Sequence, residues 1–390
     1  MKNQWKYVFS ATNPCHVWDQ VKGLAALGCS VSFISGYPKG LLVGNTESID
    51  IVESKLPTLI TYGVTAITGR TNSLASKLYR WQDLAFDRAV SKKLKSSKGI
   101  GHVFIGIPGQ CAASFQIAQK QGMVTVLNHA SGPIEIQNEL VNREKERLKI
   151  PVNDESEGVH SISRLDRERD LADIHLVAST TVRDQFVSLG IDPGQIIVAP
   201  YGVDETVFFK NEEMGPVERS KFRIMYAGQM DVRKGIHYVM DIWKRKDLPT
   251  HWELEVYGPD SSWLSSQLKD VECRDQIQIN GAVPQRILAS AMRSSDVLVV
   301  PSVEDAFGLV VPQALQCGTP CVVSSRVGAK DLINKKSNGA VFEYGNEGAL
   351  FDTLLEVDKQ RPRVTGTFDS ISAARVLESA LSDTLNRRAE

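Results

Sequence analysis

The sequence predicts an α/β protein made of two doubly wound parallel-sheet units that face each other across a cleft. Three observations predict it. Short β-branched runs alternate with longer helical stretches, and a polar, turn-rich break near the middle is followed by a restart of the same rhythm. The length of 390 residues also exceeds what one hydrophobic core comfortably organises.

Residues 7–10 read as a buried strand, with a helix near 17–27 and a second strand over 30–35 that ends in the turn Gly36-Tyr37-Pro38. The rhythm recurs as a strand over 102–107 with a helix over 112–120, and as a strand over 124–127 with a charged helix over 135–149. A strand over 174–178, a helix over 182–189 and a strand over 196–199 complete a Rossmann-like unit assigned to residues 1–208. Residues 210–220 carry Asn211, Glu212, Glu213, Gly215 and Pro216 and read as a linker. A second Rossmann-like unit, assigned to 221–365, has strands over 223–227, 252–257, 277–279, 297–300 and 321–324. In the tail, 366–390, Ile371, Ala374, Leu377, Leu381 and Leu385 fall at three- and four-residue steps. They predict a helix with one apolar stripe, packing back toward the first unit.

Composition bounds the function. Forty-five basic against 46 acidic side chains leave no global field of the kind a nucleic-acid wrapper uses, so a charged ligand has to be held locally. The 42% hydrophobic and 23% charged content places the chain among ordinary folded proteins rather than disordered ones. Cys15, Cys29, Cys111, Cys273, Cys317 and Cys321 include no Cys-x-x-Cys pair, so buried reduced thiols are expected rather than zinc or a redox centre. Residues 1–8 hold Lys2, Gln4, Trp5 and Lys6 without an apolar run, and no window has the length of a membrane span, so a cytoplasmic protein is expected. The stretch 77–98 mixes Lys77, Arg80, Arg88, Lys92, Lys93, Lys95 and Lys98 with Leu78, Trp81, Leu84 and Phe86. A solvated helix face is the plainer account of it, and a weak peripheral contact with an anionic membrane surface is the other.

The chemistry concentrates in two segments. The apolar strand 297–300 leads into Pro301-Ser302-Val303-Glu304-Asp305-Ala306-Phe307-Gly308-Leu309 and then a helix carrying Gln313. Gly308 allows backbone amides close to a ligand, and amides at the start of a helix suit a diphosphate. Asp305 and Gln313 stand eight positions apart, about two turns if the intervening residues are helical. The other segment, Tyr226-Ala227-Gly228-Gln229-Met230-Asp231-Val232-Arg233-Lys234-Gly235, runs from a strand into a glycine-containing loop with adjacent cations. Those cations suit a leaving diphosphate without metal, although alone the segment reads as a turn with solvated charges.

The first segment resembles the signature of the family 4 retaining glycosyltransferases, in which two glutamates separated by seven residues flank Phe-Gly-Leu. Here Asp305, beside Glu304, holds the first position and Gln313 the second. The second segment is similar to the family's phosphate loop, with Lys234 retained, Gln229 where the family has arginine, and Arg233 as a compensating charge. The resemblance extends over about residues 100–345 and includes Ala172-Asp173-Ile174-His175, Tyr201-Gly202-Val203-Asp204, Glu255-Val256-Tyr257-Gly258 and Gly281-Ala282-Val283-Pro284.

It implies the GT-B fold and a retaining, metal-independent transfer of a sugar from a UDP- or GDP-sugar to a hydroxyl acceptor, a glycan, a glycolipid or a small molecule, with no cofactor. It further implies that Arg233, Lys234 and Gln229 face the diphosphate, and that Ala282 and Val283 meet the base. Glu304, Asp305, Phe307, Gly308, Leu309 and Gln313 would hold the sugar, phosphates and ribose. His129, just past the strand 124–127, would sit in the cleft from the first unit. Asp305, His129 and Lys234 are the expected catalytic residues, and no metal ligand is expected. Near the start, Ser10-Ala11-Thr12-Asn13-Pro14 occupies the place of a glycine-rich loop and has no glycine. A non-catalytic nucleotide-sugar binder on the same fold is the alternative. A dinucleotide oxidoreductase is disfavoured because no Gly-x-Gly-x-x-Gly follows the first strand.

Overall fold

The computed structural model describes residues 5–42, 44, 47–69, 73–97, 99, 101–152, 159–210, 220–259, 274–346 and 348–389. Most of the predicted linker (211–219), together with Lys98 and Cys273, lies outside these residues. Two parallel sheets form. The first contains β1 (Lys6–Ala11), β2 (Ser30–Ser35), β3 (Asp50–Glu53), β4 (Val103–Gly106), β5 (Val124–Asn128), β6 (Ile174–Val177) and β7 (Ile196–Val198), in the order β3-β2-β1-β4-β5-β6-β7. The second contains β8 (Phe222–Ala227), β9 (Trp252–Tyr257), β10 (Ile277–Gly281), β11 (Val297–Val300), β12 (Cys321–Ser324) and β13 (Gly339–Phe342), in the order β10-β9-β8-β11-β12-β13.

Both orders reverse at an interior pair, β1 with β4 and β8 with β11, so each sheet has a crevice at the carboxyl ends of those strands. The central strands carry side chains buried on both faces, as parallel sheets require. Val297, Leu298, Val299 and Val300 are all buried, and Val297 and Val299 face one apolar cluster while Leu298 and Val300 face the other.

The first sheet is covered on one side by the helices Cys15–Ala26 and Ser370–Ala389. Leu377, Leu381 and Leu385 join Trp18, Val21, Leu24 and Phe33 in one core cluster. The C-terminal helix thus packs on the first unit as its stripe predicts, except that Ile371 faces solvent. Close approach is possible because Gly23 lacks a side chain: a Cβ there would lie 2.6 Å from Ala374 Cβ. The other side of the sheet carries Ser73–Ser96, Ala112–Lys120 and Val159–Leu171. In the basic stretch Phe86 enters the core while Trp81 and Leu84 stay exposed. No helix among the described residues is long and apolar enough to cross a membrane.

The two units meet through named contacts. Ser179 caps the helix Thr180–Ser188 by accepting from Val182 N (3.2 Å), and its Oγ donates to the Ala306 carbonyl (2.7 Å). Asp331 accepts from Thr180 N and Thr180 Oγ1, both at 2.7 Å. The buried Glu144 carboxylate accepts from Tyr344 Oη (2.6 Å) and lies 2.8 Å from His237 Nε2. These bonds, with Arg147, hold Glu144 well below the usual carboxylate range even though burial alone acts the other way.

Because the C-terminal helix completes a core it does not adjoin in sequence, Leu381→Ala is expected to destabilise the protein by about 2–5 kcal/mol through the cavity it leaves. Urea unfolding against wild type checks this, and a change below about 1 kcal/mol would show that the helix is dispensable to the core.

Candidate active site

The loops that carry the candidate residues leave neighbouring strands at the reversal point of the second sheet, β8 into residues 228–235 and β11 into 301–309. One backbone bond fixes the second loop against the first, and two side-chain bonds hold the first loop's own shape. Val303 N donates to the Arg233 carbonyl (2.9 Å), Lys234 N donates to Asp231 Oδ1 (2.8 Å), and Tyr226 Oη donates to the Gln229 carbonyl (2.7 Å). Gly235 has φ +71°, and a Cβ there would stand 2.0 Å from the Pro301 carbonyl oxygen, so only glycine fits.

Within this frame Lys234 Nζ lies 2.6 Å from Asp305 Oδ2, with the two side chains only 20% and 11% exposed. Arg233 Nη1 lies 3.5 Å from Glu304 Oε2. Burial, then the Asp305 charge, pushes the Glu304 carboxyl up, while Arg233 and Lys234 pull it down. A cleft of about 290 Å³ opens here. Lys234, Ser302, Asp305, Phe307, Gly308 and Leu309 line it from the second unit, and His16, Ala130 and Tyr201 from the first.

The structure brings Lys234, Asp305, Phe307, Gly308 and Leu309 together on this cleft, and sets Arg233 and Glu304 beside it as an ion pair. The others are placed differently. The helix begins only at Val310, so residues 305–309 are loop, and Asp305 and Gln313 are not two turns apart on one helix. Gln313 is half-buried in that helix and is not among the cleft's lining residues. The Gln229 side chain is exposed. Ala282 is exposed and Val283 half-buried at the carboxyl end of β10, where Gly258 N donates to the Gly281 carbonyl (2.8 Å) and ties that turn to β9.

His129 does not reach the cleft. Its ring is buried behind the wall, 3.1 Å from His175 Nδ1 through Nε2 and with its centroid 4.2 Å from that of Phe186. Its neighbour Ala130 does line the cleft, and the His129 carbonyl accepts from Tyr201 Oη (3.0 Å). Burial holds both rings neutral: His129 lies well below its ordinary value, and His175 is pushed down to about 4, with Arg169 adding to the effect.

The sequence reading does not assign His16, Ala130, Tyr201 or Ser302 to the site, and two of these carry an unpaired polar atom. His16 and Ser302 line the cleft, and His16 Nε2 and Ser302 Oγ are buried without a hydrogen-bond partner among the described residues. For His16 a signal exists, since it follows the carboxyl end of β1, the same kind of position that singles out His129. Ser302 carries no signal beyond lying in the motif.

Comparison with known proteins places this geometry. Residues 221–359 match the family model described as glycosyl transferases group 1. A D-inositol 3-phosphate glycosyltransferase of Paenarthrobacter aurescens is 30% identical over 196 residues, 47% of this chain and 48% of that protein. One from Mycobacterium bovis is 32% identical over 205 residues, 48% of this chain and 42% of that protein. The chain spans about half the length of the curated relatives it matches. Anabaena HepE, solved in complex with UDP and glucose, superposes with TM-score 0.63 at 14% identity, covering 97% of this chain and 100% of that one. Sucrose-phosphate synthase of Thermosynechococcus elongatus gives 0.64 at 15% identity, covering 98% and 94%. The architecture is therefore that of the GT-B glycosyltransferases, two Rossmann-like sheets across a cleft. Within it, the second unit is the part that matches the glycosyl transferases group 1 model.

The buried histidine pair sets an acid limit on stability. Unfolded His175 takes up a proton near pH 6.5 and the folded form only near 4, so the unfolded state binds more protons in between and stability falls as pH drops through that window. Between pH 7.5 and 5.5, wild type is expected to lose about 1 kcal/mol more unfolding free energy than His175→Gln. Denaturant titrations at the two pH values check this, and equal losses would show that the ring is not held neutral.

Proposed function

We propose that the protein is a metal-independent, retaining glycosyltransferase that moves a sugar from a UDP- or GDP-sugar to a hydroxyl acceptor in glycan, polysaccharide or glycolipid synthesis. The observation that carries this reading is the Lys234–Asp305 pair, 2.6 Å apart in a cleft that both units line at the reversal point of the second sheet. The match of that sheet's unit to a glycosyltransferase family supports it, as do relatives named as D-inositol 3-phosphate glycosyltransferases and as a mannosyltransferase.

In the free protein Lys234 neutralises Asp305. When a diphosphate enters, the ammonium turns to it, with Arg233 as a second cation, and Asp305 is released to accept hydrogen bonds from sugar hydroxyls. Preorganised cations and loop amides do the work a divalent ion would otherwise do. The acceptor approaches the anomeric carbon on the face the phosphate leaves. As the carbon–phosphate oxygen bond breaks and the carbon–acceptor oxygen bond forms, the acceptor proton passes to the departing phosphate oxygen, so no protein nucleophile is needed. Because lining residues come from both units, the cycle opens and closes the cleft about the segments near 204–223 and before Phe368.

The exposed Gln229 and the half-buried Gln313, neither on the cleft, favour one rival, a nucleotide-sugar binder without transfer. Release of nucleotide diphosphate from a donor in the presence of an acceptor separates the two. The buried, unbridged Cys29, Cys111, Cys317 and Cys321 accord with a cytoplasmic setting. The exposed Trp81 and Leu84 beside Lys77 and Arg80 support a weak peripheral contact with anionic membrane. Cosedimentation with anionic vesicles, reduced in Trp81→Ser/Leu84→Ser, is expected, and no pelleting of wild type would remove that contact.

Lys234→Ala and Asp305→Ala are each expected to lower transfer by about 10²-fold or more, the scale of removing one preorganised charge, with unchanged melting temperature. Turnover near wild type in either variant would sink the assignment. EDTA is expected to leave the rate unchanged; loss on chelation, restored by magnesium or manganese, would overturn metal independence. Proton NMR of the first-formed product is expected to show the donor's anomeric configuration, and an inverted anomer would overturn the retaining mechanism.

A further inference from the structure

Two residues that line the cleft carry polar atoms that the ion pairs do not explain. His16 Nε2 projects from the first unit and Ser302 Oγ from the second, both buried, and neither has a hydrogen-bond partner among the described residues. A buried polar atom left unpaired is costly and uncommon, so its persistence calls for an occupant that pairs it. The His16 ring is fixed rather than free: its centroid lies 4.6 Å from that of Tyr201, whose hydroxyl is anchored to the His129 carbonyl at 3.0 Å. Ser302 is fixed by its backbone, because its carbonyl accepts from Ser324 Oγ at 2.6 Å. Both residues line the cleft with Lys234 and Asp305.

We propose that His16 Nε2 and Ser302 Oγ form a hydroxyl-binding subsite for the sugar carried by the nucleotide, one wall from each unit. The inference rests on the nucleotide-sugar reading and adds to it a part for the first unit that is separate from phosphate binding. The ligand's chemistry follows from the groups. Burial pushes His16 down to about 4, so the ring is neutral at pH 7 and both partners are uncharged. Neutral donor–acceptor groups in a cleft wall pair well with hydroxyls, which both donate and accept, while the charges beside them serve the diphosphate. The subsite is complete only when the first unit covers the second, so the sugar and not the nucleotide reports the meeting of the two.

One competing occupant is an internal water. His16 also borders a void of about 20 Å³ with Gln20 and Tyr201, large enough for a single molecule. The test therefore compares two ligands on one protein. Calorimetry would measure UDP, UDP-glucose, GDP and GDP-mannose binding to the full chain, to His16→Ala, to Ser302→Ala and to His16→Gln, with the melting temperature of each. The sugar-bearing member of the preferred pair is expected to lose about tenfold in affinity in both alanine variants, while the matching diphosphate stays within twofold and His16→Gln recovers part of the loss. An unchanged ratio of sugar-nucleotide to diphosphate affinity would overturn the subsite. So would a drop in melting temperature with no change in that ratio, which would give the void to water alone. Failure of wild type to bind any of the four would overturn the nucleotide-sugar reading itself, a result distinct from the first two.

Discussion

The candidate site depends on one constraint, the passage of two backbone segments so close that side chains are excluded between them. Gly235 faces the Pro301 carbonyl at a distance where a Cβ would be at 2.0 Å, and Gly258 faces the Gly228 carbonyl where it would be at 1.9 Å. Both contacts sit at the carboxyl ends of the central strands β8, β9 and β11, where the chain turns out of a fully buried sheet. With the loops in register, Val303 N reaches the Arg233 carbonyl and the Lys234 ammonium reaches Asp305. A lysine on a freely turning loop would lose more rotamer entropy in reaching that carboxylate than an exposed pair returns. Here the glycines settle the path of the backbone before the side chains are placed.

Much of this was legible in the sequence because it rests on backbone and pattern. The runs that became β1, β2, β4 to β8, β11 and β12 are largely apolar, as the central parallel strands, buried on both faces, have to be, whereas β9, Trp-Glu-Leu-Glu-Val-Tyr, carries two half-buried glutamates. The sequence reading did not find β3, Asp-Ile-Val-Glu, or β13, Gly-Ala-Val-Phe. Both are four-residue edge strands, one flanked by acids and one opening on glycine, and their pairing comes from a neighbour rather than from their own propensity. The helix Val159–Leu171 is largely charged, so its apolar period is weak. In the site, Lys234 and Asp305 are singled out by the motif resemblance, and the structure brings their side chains together. His129 was misplaced because a residue next to a strand end points either into the crevice or into the wall, and sequence does not say which. Its neighbour Ala130 took the crevice side, while the His129 ring went to His175 and Phe186.

The contacts between the units have a character of their own. Glu144, 3% exposed, is a carboxylate whose partners His237 and Tyr344 both belong to the other sheet's unit. A charge buried this far is tolerable only while those partners are in place, since removing them without admitting water leaves it unpaired. Parting the units admits water to all of them together. The exchange of protein bonds for water bonds then costs little net energy, because each hydrogen bond is replaced rather than lost. The Ser179 and Thr180 contacts with Ala306 and Asp331 follow the same logic, the first from a buried serine and the second exposed, and both polar. What resists opening is the apolar seam, where Tyr201 and Val203 pack in one cluster with Phe307 and Val311, the Tyr201 and Phe307 rings edge to face at 5.2 Å.

That seam joins the stability of the interface to the shape of the cleft. Tyr201 presents one ring face to His16 and meets Phe307 edge to face, and its hydroxyl is tied to the His129 carbonyl. Phe307 belongs to the loop that carries Asp305, and its carbonyl accepts from Ala329 N at 2.7 Å. Any movement of the first unit that shifts Tyr201 therefore changes both the position of His16 and the packing of the Asp305 loop. A rigid aromatic ring transmits such a shift because a close-packed interior offers no slack to absorb it. His129, read from the sequence as a group that touches the ligand, acts in this arrangement two contacts away, through its carbonyl and Tyr201, on the residue that does line the cleft.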